Sequence, residues 1–333
     1  MSVTTTGAAG VYLRSYLAPF APFLERADVT DIYVNRPGEV WVETLTGDSE
    51  RVDAPTLDDT MLWRLARQIA SLTHQGISRE HPLLSATLPD GARVQICAPP
   101  ATRGPLALAI RKHVIADLSL DDYAAKGAFA ETRRADLVAR DDGDAALRAL
   151  LDSGDTAEFL SAAVRARKNI VIAGGTSTGK TTFLNALLKE TPARERLILI
   201  EDTPEIRLDH ANAVGLIAVR GDLGEARVTA EDLLQASLRM RPDRIIMGEL
   251  RGAEALSFLR AVNTGHPGSI TTVHADSPKG ALDQLALMAM QAGTHLGRGE
   301  IIDYARGIID IFVQLRRRDG KRSISAIAFE PKG

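Results

Sequence analysis

Gly-Gly-Thr-Ser-Thr-Gly-Lys-Thr, residues 174–181, decides the fold. It follows the apolar run Asn169-Ile170-Val171-Ile172-Ala173 and precedes Thr182-Phe183-Leu184-Asn185-Ala186-Leu187-Leu188. A G-x-x-x-x-G-K-[ST] segment set between a strand pattern and a helix pattern reads as a phosphate-binding loop. Its backbone N–H groups turn inward, and the following helix adds the positive end of its dipole. Gly174, Gly175, Thr176, Ser177, Thr178, Gly179, Lys180, Thr181 and Thr182 are the expected nucleotide-holding residues. Lys180 is expected to reach the β- and γ-phosphates, and the Thr181 hydroxyl to ligate Mg²⁺.

Outward from the loop, residues 197–200, 215–219, 245–247 and 270–273 are short apolar or alternating runs separated by helical stretches. That alternation predicts an α/β domain over residues 156–333, with a largely parallel sheet flanked by helices. Residues 308–315 and 323–329 read as a hairpin around Asp319-Gly320. The cluster Arg316-Arg317-Arg318 with Lys321-Arg322 is expected to be a solvated turn.

Upstream, residues 12–24 and 62–71 carry helical spacing, while residues 31–34, 40–43, 93–96 and 106–111 read as strands. Residues 1–112 are therefore expected to form a smaller α+β domain. Residues 113–155 are rich in Asp, Ala and Gly and read as a linker with short helices at 121–126 and 144–151, too polar to bury much but able to lie along another domain or a neighbouring subunit.

At 333 residues the chain is long enough for two domains. Lys+Arg 40 against Asp+Glu 43, with only 5% aromatic residues, lacks the basic and aromatic footprint of a nucleic-acid binder, so direct nucleic-acid contact is not expected. Cys97 is the sole cysteine, which excludes an internal disulfide and suits a reducing compartment. Residues 1–10 lack a signal-peptide pattern, and no apolar run approaches the roughly 20 residues of a membrane span. A cytoplasmic protein is expected, docked from the inside on a membrane complex.

Hydrolysis needs acids beside the loop to serve Mg²⁺ and to orient water. Residues 197–200 run into Glu201-Asp202-Thr203-Pro204-Glu205, and residues 244–247 run into Gly248-Glu249. Both strand ends belong at the carboxyl edge of an open α/β sheet, where a ligand lies. Whether Glu201 or Glu205 activates water stays open, one of them being free to serve only as an arginine anchor. His274 closes a further strand on the same edge and could hydrogen-bond the γ-phosphate.

The loop and the acidic segment combine with residues 238–252, ending Arg244-Ile245-Ile246-Met247-Gly248-Glu249-Leu250-Arg251-Gly252, and with residues 264–275. This set resembles the secretion ATPase superfamily of type II and type IV secretion: phosphate loop, aspartate box, second nucleotide motif and histidine box. Asn35-Arg36-Pro37-Gly38-Glu39-Val40-Trp41 and the pair Arg93 and Arg111 resemble the type IV branch. Asp202-Thr203-Pro204 and His266-Pro267 point the same way, and a four-cysteine insert of the type II branch is absent.

The resemblance implies a homohexameric ATPase at the cytoplasmic face of the bacterial inner membrane. Its partners would be other secretion-system subunits, among them the inner-membrane channel and a coupling ATPase, with peripheral membrane contact. Each subunit would pair the N-terminal domain with a RecA-like P-loop domain, nucleotide lying between them. Thr181, Asp202 and Glu249 fall on the metal side. Glu201 and Glu205 complete the acidic box, His274 senses the γ-phosphate, and Arg93 and Arg111 reach over to the phosphates. Ser177 and Thr178 stand where the family commonly has other residues in the loop, glycine included, and the linker is long, which in some members exchanges domains between subunits. The alternatives are a tight-adherence pilus-assembly ATPase, a RecA-like nucleic-acid motor and a nucleotide-gated scaffold with little turnover.

Overall fold

The computed structural model describes residues 8–113, 119–125, 127–130, 132, 142–219 and 224–329. Part of the expected linker, including Lys126 and most of the polar clusters around residues 131–141, lies outside these.

The N-terminal domain opens with α1 (Ala8–Leu17), a 3₁₀ turn (Ala18–Phe20) and α2 (Ala21–Leu24). The expected single helix is broken there because Pro19 and Pro22 each start a new helical segment, where a missing N–H costs nothing. Next come β1 (Val29–Val34), β2 (Gly38–Thr44), β3 (Ser49–Ala54), α3 (Asp59–Leu72), β4 (Leu83–Thr87), β5 (Arg93–Cys97) and β6 (Ala107–Arg111). The six strands form an antiparallel sheet in the order β3-β2-β1-β6-β5-β4. Asp58 caps α3 by accepting from the Met61 N–H.

Period-two alternation gives this sheet two apolar faces. Ile32, Val34, Val40, Val42, Ile96, Leu108 and Ile110 pack with Leu62, Leu65 and Ile69 of α3. Tyr33, Trp41, Cys97, Ala107 and Ala109 face the other way and join the core of the C-terminal domain.

After α4 (Leu120–Ala125) the chain continues through α5 (Asp142–Asp152), α6 (Thr156–Arg165), β7 (Ile170–Ala173), α7 (Lys180–Leu188), β8 (Leu197–Glu201) and β9 (Ala213–Ile217). It then forms α8 (Ala230–Ser237), β10 (Arg244–Met247), α9 (Glu254–Asn263), β11 (Ile270–Val273), α10 (Pro278–Met290), α11 (Arg298–Ile308), β12 (Ile311–Arg318) and β13 (Lys321–Phe329). The sheet order is β13-β12-β7-β11-β10-β8-β9, parallel except for β13. Asp319 and Gly320 both take positive φ, 51° and 77°, as a two-residue hairpin turn of this kind requires.

The second short helix of the linker lies along the C-terminal domain and buries more than its polar composition suggests. Leu147 of α5 is buried with Phe159, Leu160 and Val164 of α6, and Asp144 pairs with Lys168. An apolar stripe within an otherwise polar segment is enough to seat α5 on the C-terminal domain.

The two domains share a continuous seam. The backbone at residues 101–103 bridges to β9: the Arg103 N–H donates to Gly215 O at 3.0 Å and the Ile217 N–H to Ala101 O at 2.9 Å. Arg196, fully buried, stacks on the Tyr33 ring at 4.0 Å and donates to Asn35 Oδ1 at 2.6 Å and Asn212 Oδ1 at 2.7 Å. Arg241 pairs with Glu43 at 2.7 Å. Cys97 Sγ lies 3.6 Å from Met240 Sδ, and burial pushes its thiol up to about 12.

Cys97 therefore reports on the seam. Iodoacetamide at pH 8 should label the folded protein more than about a thousandfold slower than the denatured chain, because the thiolate is suppressed and shielded. Rapid labelling of folded protein would show that the domains do not stay packed.

Candidate active site

β7 delivers the chain from the centre of the sheet into the loop, and α7 leaves from it. Gly179 caps α7 with φ 94°, and Ser177 takes φ 61°. Serine in the left-handed region costs roughly 1 kcal/mol more than glycine. Gly174 has no room for a side chain, since a Cβ would stand 2.5 Å from Thr178 Oγ1. That hydroxyl donates to Gly175 O at 2.8 Å.

Lys180 is buried against its own loop. Its Nζ donates to Gly174 O at 3.0 Å and lies 3.4 Å from Gly175 O. Desolvation lowers its pKa, against the opposing pull of Glu249.

Parallel register brings the ends of β8, β10 and β11 to the same edge. There Glu249 Oε1 meets His274 Nε2 at 2.9 Å and Lys180 Nζ at 3.9 Å. His274 Nδ1 is 3.5 Å from the same Nζ. Arg251 holds the second Glu249 oxygen and sets Nη1 3.4 Å from Asp202 Oδ2. The contact with Glu249 raises the Arg251 pKa further. Thr181 donates its hydroxyl to Glu205 Oε2 at 3.1 Å. Lys180, Thr181, Asp202, Glu205, Glu249 and His274 thus meet in one cleft of about 400 Å³.

Glu201 sits at the wall of that cleft with its carboxylate turned into the protein. Oε1 accepts the N–H groups of Glu205 at 3.0 Å and Ile206 at 2.8 Å, and Oε2 pairs with the Arg103 guanidinium. Gly248 makes this possible, because a Cβ there would stand 2.9 Å from Glu201 Cγ. Glu201 is an anchor, not an acid aimed at water.

Arg93 and Arg111 do not reach the cleft in this chain. They face each other at one end of β5 and β6, while Arg103 leaves the opposite end beyond Cys97 and Ala107. Four residues of strand, about 13 Å, separate the two ends. Arg111 is held by Asp31, with Nε 2.9 Å from Oδ1. Among the described residues every side chain lining the cleft at the phosphate loop comes from the C-terminal domain, with Arg103 of the N-terminal domain behind its Glu201 wall.

Arg103, Arg251 and Arg322 were not singled out by sequence reasoning. Arg251 carried a signal, standing two residues past Glu249 in the quoted motif. Arg103 lies in a Pro/Gly-rich loop with no periodicity to read. Arg322 belongs to the hairpin cluster: Arg316, Arg317, Arg318 and Arg322 are all exposed as expected, and Arg322 in addition lines the cleft with Nε 3.3 Å from Ser177 O.

The donor chemistry fits a nucleotide with a hard divalent cation. The loop is built of small residues around a buried ammonium, and Thr181, Asp202, Glu205 and Glu249 offer oxygen donors. No cluster of three or more His, Cys, Asp or Glu forms a metal cage among the described residues. Thr181, Asp202, Glu205 and Glu249 are the oxygen donors that a hard cation bound with a nucleotide would draw on.

Residues 147–314 match the family model described as "Type II/IV secretion system protein". The chain is 38% identical over 328 residues to the type IV secretion system protein VirB11 of Bartonella quintana, covering 95% of this chain and 92% of that protein. It is 39% identical over 325 residues to VirB11 of Brucella suis, covering 95% and 90%. It is 41% identical over 320 residues to the type IV secretion system protein PtlH of Bordetella pertussis, covering 92% and 91%. The crystal structure of the Brucella suis VirB11 ATPase in complex with sulphate superposes with a TM-score of 0.89 at 38% identity, over 96% of this chain and 98% of that one. Sequence, motif order and two-domain fold agree, and the chain belongs to the type II/IV secretion system protein family, alongside the VirB11 ATPases of type IV secretion.

Proposed function

We propose that this protein is a Mg²⁺-dependent ATPase that powers a type IV secretion system. The observation that carries the reading is the convergence of Glu249 and His274 on Lys180, at the mouth of a phosphate-binding loop. A scaffold that only bound nucleotide would have no need of a carboxylate held by an arginine beside the loop lysine.

The loop N–H groups and Lys180 hold the phosphates. Bound Mg²⁺ supplies charge neutralisation at the phosphate oxygens. Glu205 orients the Thr181 hydroxyl, and Thr181 and Asp202 would hold the cation when it is bound. Arg251 fixes the Glu249 carboxylate so that it can orient, and take a proton from, the attacking water. His274, hydrogen-bonded to Glu249, responds to the γ-phosphate and couples its loss to the strand end.

A homohexamer supplies what one chain lacks. Arg93 and Arg111, remote from their own cleft, would face the nucleotide of a neighbouring subunit, with residues 113–155 as the connecting segment. An arginine delivered by a neighbour stabilises transition-state charge only when the ring is assembled. The ring would sit at the inner face of the inner membrane, against the channel and coupling ATPase; no helix of the described residues is long and apolar enough to cross a membrane.

In steady-state ATP hydrolysis, Lys180→Ala should abolish turnover through lost binding. Glu249→Gln should lower it by about a hundredfold with binding retained. Equal hydrolysis by wild type and both variants would sink the assignment. Light scattering with ATP and Mg²⁺ should give a hexamer, a strict monomer at micromolar concentration being the damaging result. Glu201→Ala should act on the fold: stranding Arg103 costs about 3–5 kcal/mol in urea unfolding. A fully stable Glu201→Ala protein would contradict the anchoring role.

A further inference from the structure

We propose that Arg322, at the tip of the C-terminal hairpin, is a phosphate-contacting residue of the nucleotide site, supplied by the same chain that supplies the loop. The inference rests on the nucleotide reading above and adds a residue to it.

Placement comes first. The sheet order sets the β12–β13 hairpin directly beside β7, so its turn overhangs the loop that β7 feeds. Arg322 leans across that loop: a Cβ on Gly179 would stand 3.1 Å from Arg322 Cδ, and Nε lies 3.3 Å from Ser177 O. Gly179 is thus glycine for two reasons, its φ of 94° and the arginine stem lying over it.

Charge is the second argument. Among the cations of the cleft, Arg251 is held by Glu249 and Asp202, and Lys180 faces Glu249. Arg322 lines the same cleft with no carboxylate within ion-pair distance among the described residues. It also stands directly opposite Arg317 across the hairpin, and like charges so placed repel. Arg316, Arg318 and Lys321 add to the positive field, against the single carboxylate of Asp319 in the turn. A polyanion beside the loop relieves that repulsion. A guanidinium is suited to the task, because its fork matches phosphate oxygens.

The test is equilibrium binding of ATP and ADP with Mg²⁺ to the full chain. Lys180→Ala serves as the site control and Arg318→Ala as the hairpin control, since Arg318 points away and faces Asp319. Arg322→Ala should weaken binding about tenfold, with Arg318→Ala within about twofold of wild type. Arg322→Lys should recover part of the loss. Arg322→Gln separates charge from bracing: an amide can still donate to the Ser177 carbonyl but cannot neutralise phosphate. Loss in Arg322→Gln equal to that in Arg322→Ala supports the proposal. Wild-type affinity in Arg322→Gln, or in Arg322→Ala, overturns it while leaving the site standing, provided Lys180→Ala has lost binding. Absence of nucleotide binding by the wild type would remove the site reading and Arg322 with it.

Discussion

The carboxylate of Glu201 is the point on which the cleft and the domain arrangement both turn. It accepts two backbone N–H groups from residues 205 and 206, which folds the acidic segment back on itself and sets Glu205 beside Thr181. Its other oxygen holds Arg103, an N-terminal guanidinium that reaches this edge. Burial disfavours the charged Arg103 guanidinium, so the anion opposite it is what makes its position tenable. Gly248 on the next strand and Gly215 under Arg103 have no side chain because this pair occupies the space one would need.

The seam between the domains follows the same logic on a larger scale. Arg196 is fully buried, and desolvation lowers its pKa to about 10, so it remains charged near neutrality and needs partners. Tyr33 and Asn35 come from one domain, Asn212 and the Met240 carbonyl from the other. A shifted docking would leave a buried cation without them. Apolar contacts such as those of Cys97, Ala107 and Leu216 tolerate small displacements, whereas this cation does not.

Much of this was legible from residue patterns. The loop, the parallel strands after it and the acids at their ends declare themselves through local spacing, and the structure places Lys180, Thr181, Glu205, Glu249 and His274 together. What escaped has physical reasons. β3, Ser-Glu-Arg-Val-Asp-Ala, is a polar edge strand whose pairing is decided by its neighbour β2, not by its own periodicity. β9 begins two residues earlier than alternation suggested, because its register is set by β8. Glu201 looked like its acidic neighbours, since nothing local says which carboxylate an arginine about a hundred residues upstream will claim. Arg322 sat in a run of like charges, and only the sheet order reveals that one of them overlooks the loop.

The bridge between residues 101–103 and β9 has one further consequence. β9 is the last strand of its sheet, and two of its outer backbone groups, Gly215 O and the Ile217 N–H, are bonded by the N-terminal domain. Lifting that domain bares a strand edge, and a bare edge is a template for pairing with any other chain. The opened molecule is therefore adhesive as well as less stable. Its tendency to clump in concentrated solution is governed by how seldom the seam parts.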